Sequence, residues 1–307
     1  MFAKLLEYER QIFPLIIQFI FYRRFNMFKR RSFASLIVIT FLIGCSTVPI
    51  TGRRQLSFVP QNQLIASSND SYHQLLSESK MSEDKEKTQM VVNVGKRIAS
   101  SAEQFMRENK MEKEIQNYHW EFKLIQDDKT VNAFCMPGGK IAVYTGMLPI
   151  TQDENGLAVV LGHEVAHALA NHGGERMSQL LLAQMGATTL SAALSQQPQQ
   201  TRQLLLQVYG IGANVGVILP YSRSHELEAD HIGLILMARA GYNPNSAISF
   251  WQRMNEKAGK RPPEFLSTHP EPLKRIEDIR NELPEAMKYY KQSTYSITFF
   301  SGINLFN

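Results

Sequence analysis

Cysteine is scarce in this sequence, with two in 307 residues, which excludes a disulfide-stapled scaffold. An apolar core has to hold the chain instead, and a hydrophobic content of 44% is enough to build one. No internal self-similarity at a period of about 30–50 residues is present, so a solenoid is excluded as well. Charge of one sign is also missing from most of the chain. The net +5 is confined to residues 1–45, where Lys4, Arg10, Arg23, Arg24, Lys29, Arg30 and Arg31 face only Glu7 and Glu9. The other 262 residues carry 26 bases and 26 acids. A body so balanced offers no electrostatic footprint for nucleic acid, and no such partner is expected. The basic excess points to targeting.

From Met27 the sequence reads MFKRRSFASLIVITFLIGC, a basic stretch followed by an apolar run over Phe33–Ile43. That run is well short of the ~20 residues a spanning helix needs, and the pattern is that of an export signal. Its end, Leu42-Ile43-Gly44-Cys45, resembles the lipobox of bacterial lipoproteins. The resemblance implies lipidation at Cys45 and a lipid-anchored protein of the bacterial cell envelope, facing the periplasm. Ser46 in place of an aspartate points to the outer rather than the inner membrane. An ordinary signal peptide or a permanent anchor helix is the alternative. The expected division is residues 1–26 as a gene-model extension or extra anchor, 27–44 as signal peptide, 45–60 as linker, 61–290 as the globular domain and 291–307 as a tail.

Within the body, residues 61–109 place apolar side chains at three- and four-residue spacings and read as helix. Trp120–Gln126 alternates as a strand. VNAFCMPGGKIAVYTGML reads as a hairpin turning at Gly138-Gly139, a pair able to supply positive φ angles, with Cys135 as a buried, inert thiol. A helix is expected from about Asp153 to His172, with acids in its first turn. Residues 173–219 read as two helices joined by the polar SQQPQQTRQ, either plain core or a lid or membrane-facing hairpin. A further helix in YSRSHELEADHIGLILMARAG stops at Gly241-Tyr242-Asn243-Pro244, and NSAISFWQRMNEK and EPLKRIEDIRNEL read as amphipathic helices.

The chemistry concentrates in LGHEVAHALANHG. His163 and His167 are four residues apart, hence on one helical face with Cβ atoms ~5–6 Å apart, and can share one cation. The alternative is polar residues that happen to fall in a helix. A catalytic zinc takes three protein ligands and leaves one position open, and Glu164, off the ligand line, is placed to act as the general base on a water activated there. His172 is the nearest third histidine, but on a continuous helix it lies about 180° round from His163. It reads as a surface residue or as one supporting a ligand from behind. YSRSHELEAD offers Glu226 and Asp230, also four apart. One of them can bind the metal while the other accepts from a ligand histidine.

HEVAHALANHGGER followed by YSRSHELEADHIG resembles the M48 family of zinc metallopeptidases, whose pattern is H-E-x-x-H and then S-R-x-x-E-x-x-A-D. It matches here at His163, Glu164, His167, Ser222, Arg223, Glu226, Ala229 and Asp230. The resemblance implies His163, His167 and Glu226 as ligands of one Zn²⁺ per chain, Glu164 as general base and Asp230 supporting a ligand; Glu228 falls at a variable position. The hairpin is similar to the family's own, whose edge strand pairs with substrate. STHPEPLKRI resembles the downstream H-P-x-x-x-x-R element and brings His269 and Arg275 near the site. His269 then either stabilises the oxyanion or occupies the open zinc position in a resting state. The implied fold is α+β, mainly α, a zincin-like domain with a small antiparallel sheet beside the H-E-x-x-H helix. The implied function is a membrane-tethered metalloendopeptidase acting on protein or peptide substrates, specifically misfolded or mis-assembled envelope proteins. The alternative is a chaperone-like envelope assembly factor with a mostly latent metal site. The multiple spanning helices of the family's integral-membrane members are not found.

Overall fold

Two helices occupy the region that periodicity reads as one: α1 (Gln61–Glu78) and α2 (Lys85–Glu108). Asp84 makes the break. Its carboxylate accepts from the Lys87 N–H at 3.0 Å as the N-cap of α2, satisfying one of the donors a helix start leaves unpaired. The computed structural model describes residues 45–48, 51–185, 208, 222–258, 263–270 and 272–303. The signal-peptide and extension readings of residues 1–44 lie outside these, as does the helical pair over 173–219 beyond Met185, Val208 apart. From Thr47 onward the chain forms one compact unit. Among the described residues no helix is long and apolar enough to cross a membrane.

Three strands follow: β1 (Glu121–Ile125), β2 (Ala133–Met136) and β3 (Lys140–Tyr144). β2 and β3 form the expected antiparallel hairpin, turning through Gly138 and Gly139 at φ 84° and 78°, a region open to glycine at no steric cost. β1 joins the other side of β3 in parallel, so the sheet is mixed, in the order β1-β3-β2. β2 is left at the edge, against the next helix.

That helix, α3 (Glu154–Leu169), is capped by Asp153, whose carboxylate accepts from the Gly156 N–H at 2.8 Å. It is buried on almost every face, as its alanine- and valine-rich composition requires. It ends at Leu169 rather than near His172, because Asn171 takes the left-handed conformation at φ 53° and stops it. His172 therefore opens a separate helix, α4 (His172–Met185). α5 (Arg223–Arg239) starts at Ser222, whose hydroxyl accepts from the His225 N–H at 3.3 Å, and closes at Gly241 with φ 80°, where the sequence signals placed its stop. α6 (Ser246–Glu256), the short α7 (Glu264–Thr268) and α8 (Pro272–Ile303) complete the described residues, α8 continuing through residues expected as a tail.

α3 and α5 touch backbone to backbone. A Cβ on Gly162 would sit 2.8 Å from the Gly233 carbonyl oxygen, and one on Gly233 would sit 2.9 Å from the His163 nitrogen. Only glycine at both positions permits this approach, and it occurs one residue from His163. An alanine gains about 1 kcal/mol of helix propensity, but overpacking a buried contact costs about 1–3 kcal/mol. Gly233→Ala is therefore expected to lower the melting temperature and weaken zinc binding together. A thermal melt with a chelator competition checks this, and a higher melting temperature with unaltered metal affinity would contradict it.

Candidate metal centre

Three separate parts of the chain supply the centre. α3 carries His163 and His167, α5 carries Glu226 and Asp230, and His269 caps the C-terminus of α7, its N–H bonded to the Phe265 carbonyl at 2.8 Å. Phe265 fixes that turn: its own N–H reaches the Val131 carbonyl at 3.1 Å, and its ring lies against His269 with centroids 4.4 Å apart.

One donor atom each from His163, His167, Glu226 and His269 lies within 4.8 Å of the other three, in a group that could hold a metal ion. His163 Nε2 is 2.9 Å from His167 Nε2, 3.1 Å from His269 Nδ1 and 3.6 Å from Glu226 Oε2. Glu226 Oε1 is 3.0 Å from His269 Nδ1 and 3.5 Å from His167 Nε2. A ring nitrogen carries one proton or one lone pair and cannot satisfy three such neighbours by hydrogen bonding, whereas one shared cation can. Zinc bonds of ~2.0–2.1 Å in a tetrahedron set ligand atoms ~3.3–3.4 Å apart, a spacing the observed distances bracket. The residues present therefore fit a zinc ion.

Electrostatics agree with a ligand role. Burial, then Arg275 for His163 and the neighbouring His163 for His167, holds both imidazoles well below their usual pKa, so both rings are neutral, as a metal ligand must be. Burial alone would push Glu226 up, but His269 and Arg275 hold it well below the usual carboxylate range. Asp230 accepts from His163 Nδ1 at 3.0 Å and from Arg275 Nε at 2.8 Å. Arg275 also donates to Glu226 Oε2 at 2.5 Å and lies 3.7 Å over the Trp251 ring. It thus ties Glu226 and Asp230 of α5 together. Glu164 is pinned by one oxygen: Oε2 accepts from the Cys135 N–H of β2 at 3.2 Å, while Oε1 faces His269 Nε2 at 3.3 Å. Burial pushes Glu164 up to about 7. The Cys135 thiol is fully buried and burial raises it well above its usual value, which suits an inert residue. The four ligand candidates are only 1–3% exposed, and a cleft of about 1020 Å³ opens elsewhere, between the start of α2 and Leu148–Glu154.

The structure thus gathers His163, Glu164, His167, Glu226, Asp230, His269 and Arg275 in one place, while of the Cys45 side chain nothing is described. It also places His172 behind a ligand, one of the two readings given for it, and brings in Glu228, Glu175 and Arg53. The turn at Asn171 swings His172 back so that its Nδ1 lies 2.8 Å from His167 Nδ1, and the helical-wheel argument that put it on the opposite face fails because the helix is not continuous. Glu228, at a variable position of the motif, is buried against His172 Nε2 at 2.8 Å. Glu175 and Arg53 complete this outer group.

Comparison with known proteins matches residues 94–283 to a model described as Peptidase family M48. The chain is 36% identical to the mitochondrial metalloendopeptidase OMA1 of Schizosaccharomyces pombe, covering 78% of this chain and 66% of that one. It is 32% identical to the human metalloendopeptidase OMA1, mitochondrial, over 84% of this chain and 49% of that one. It is 30% identical to the beta-barrel assembly-enhancing protease of Yersinia pestis over 58% of this chain and 37% of that one. The chain thus spans between about a third and two thirds of these relatives' lengths. Their names overturn the expected location in a bacterial envelope: the relatives of higher identity are mitochondrial. A basic, acid-poor segment next to apolar residues is common to export signals and to mitochondrial transit peptides, so residues 1–45 did not separate the two.

The outer group predicts how stability varies with pH. Burial holds His172 down to about 4, and although burial opposes it, His225 and Arg53 hold Glu175, and His172, Thr51 and Arg53 hold Glu228, at about 2. In each case the unfolded chain binds the proton that the folded one refuses, so stability rises with pH and is lost as pH falls through these windows. Metal-free protein is expected to melt at falling temperatures from about pH 6.5 to 4 through His172, joined by His163 and His167 and opposed by Glu164, and further below about 4.5 through the two carboxylates. Glu228→Gln should flatten the lower arm; melting that is independent of pH in the metal-free wild type would contradict the assignment.

Proposed function

The chain belongs to peptidase family M48, and from that premise we propose that it is a zinc-dependent endopeptidase binding one Zn²⁺ through His163, His167 and Glu226. The observation that carries this reading is the convergence of those three donors beside a carboxylate, Glu164, that is held but not neutralised. When bound, zinc supplies a Lewis acid for the scissile carbonyl and lowers the pKa of a water from 15.7 towards ~7. Glu164 Oε1 takes the proton of the attacking water and passes it to the departing amine, a role that suits a carboxylate at about 7. The Cys135 N–H holds Oε2 and so fixes which oxygen does this. β2 pairs with no further strand among the described residues, so the main-chain groups of its outer edge other than the Cys135 N–H can take an extended substrate segment, which favours unfolded or mis-assembled proteins over a fixed sequence.

A second reading, a mostly latent centre in an assembly factor, is favoured by one observation: His269 Nδ1 sits among the ligand atoms. We take this as a resting arrangement in which His269 fills the position a substrate must use. Glu164→Gln is expected to retain zinc and lose casein cleavage by about 10²–10⁴-fold. His269→Ala is expected to retain zinc and cleave faster than wild type. Zinc without cleavage in both wild type and His269→Ala would support the latent centre, and a slower His269→Ala would assign that residue to the oxyanion.

For location we propose the mitochondrion, on the relatives' names and on the seven bases against two acids in residues 1–45. The full chain with a C-terminal tag is expected to fractionate with mitochondria in a eukaryotic cell; a cytosolic distribution would refute this.

A further inference from the structure

His163 and His167 are backed in different ways. Behind His163 stands Asp230. Behind His167 stands another histidine, His172, with Nδ1 facing Nδ1 at 2.8 Å. For His167 to offer a lone pair at Nε2, its proton must sit on Nδ1, where it donates to His172 Nδ1. His172 must then carry its own proton on Nε2, which donates to Glu228 Oε2 at 2.8 Å. Glu228 also accepts from Arg53 Nε at 2.7 Å and from the Thr51 hydroxyl. Each proton position along His167, His172 and Glu228 thus follows from the one before it, and Arg53 at the end holds the carboxylate in place as an acceptor.

The same guanidinium closes a second, parallel pair. Arg53 reaches Glu175 at 2.8 and 3.2 Å, Glu175 accepts from His225 Nε2 at 2.9 Å, and the His225 ring stacks on His172 with centroids 4.4 Å apart and planes 20° apart. His172 is therefore gripped at both ring nitrogens and across one face. The segment carrying Arg53 is itself stitched down, since the Phe58 N–H donates to the Ser178 hydroxyl of α4 at 3.1 Å. Arg53 is the most exposed member, with its side chain 25% exposed against 8% for Glu175 and 5% for Glu228.

We propose that Arg53, Glu228 and His172 are positioning residues for His167, through which a segment upstream of the family match sets the metal affinity of the centre. This rests on the reading of His167 as a zinc ligand. Arg53 touches no candidate ligand. It acts by fixing Glu228, which fixes the tautomer and tilt of His172, which fixes the His167 ring. Groups that orient a metal's histidine from behind contribute about 10–100-fold in metal affinity.

The test uses the full chain as wild type, Arg53→Leu, Arg53→Lys, Glu228→Gln and His172→Phe. Zinc affinity is measured by competition with a chromophoric chelator, and the geometry of the centre by the visible bands of the cobalt-substituted protein. Thermal unfolding of the metal-free forms separates lost folding from lost positioning. Expected are a zinc affinity weaker by about 10–100-fold in His172→Phe, a smaller loss in Arg53→Leu, shifted cobalt bands in both, and partial recovery in Arg53→Lys. If His172→Phe does not fold, Arg53→Leu and Glu228→Gln decide. Zinc affinity and cobalt bands in those two equal to wild type would overturn the proposal while leaving the zinc centre intact. A wild type that binds no zinc, with His163→Ala behaving alike, would overturn the zinc centre and the positioning role together.

Discussion

The close crossing of α3 and α5 at Gly162 and Gly233 is the contact on which the rest of the structure depends. Helices normally pack with axes ~8–10 Å apart because side chains intervene. Here the only atoms between them are backbone, and a single Cβ would meet its neighbour below 3 Å. The imidazoles of α3 and the carboxylates of α5 start from two helices and must meet within a few ångströms in a buried space. Side chains as short as histidine and glutamate can do so only if the backbones come this near. The choice of glycine over alanine in two helices, locally unfavourable, is thus explained by what happens one residue away.

A second constraint follows from the first. Bringing Glu164, Glu226 and Asp230 into a buried space with three histidines is costly unless each charge is matched. The solution is layered. Arg275 lies between Glu226 and Asp230, stacks on Trp251 and reaches the His163 ring, so one cation is shared by both inner acids. Arg53 does the same for Glu175 and Glu228 on the other side. Among the described residues Glu164 has no arginine or lysine partner, only its approach to His269, and burial raises it, as it raises Asp230. Its proposed work is to exchange a proton. Buried ion pairs of this kind add little net stability, and their value lies in fixing one arrangement.

Much of this was legible in residue spacing. The i,i+4 pairs His163/His167 and Glu226/Asp230 announce their faces, Asp153 announces a helix start, and Gly138-Gly139 announces the hairpin turn. What stayed hidden depends on where the chain bends. Asn171 looks like any polar residue in HALANHG, yet its left-handed conformation moves His172 from the far side of a helix to contact with His167. Arg53 lies in a stretch with no periodicity, and nothing local connects it to residues over a hundred positions away. Glu228 falls at a variable position of the motif, so the pattern gives it no role. The parallel addition of β1 to the hairpin likewise depends on packing against α2, where the Phe122 ring fills the space a side chain at Gly95 would need. The location was misread for a different reason: targeting segments share a charge pattern, and composition does not tell one membrane system from another.

The central claim is that side chains from α3, α5 and the end of α7 form a single zinc centre, and X-ray absorption at the zinc edge of the purified full chain tests it most directly. The account predicts one zinc per chain, a first shell of nitrogen and oxygen at ~2.0–2.1 Å, and outer-shell scattering from three imidazoles in the resting protein. A shell containing sulfur, which only Cys135 or another thiol could supply, or outer-shell scattering from fewer than two imidazoles, would contradict it.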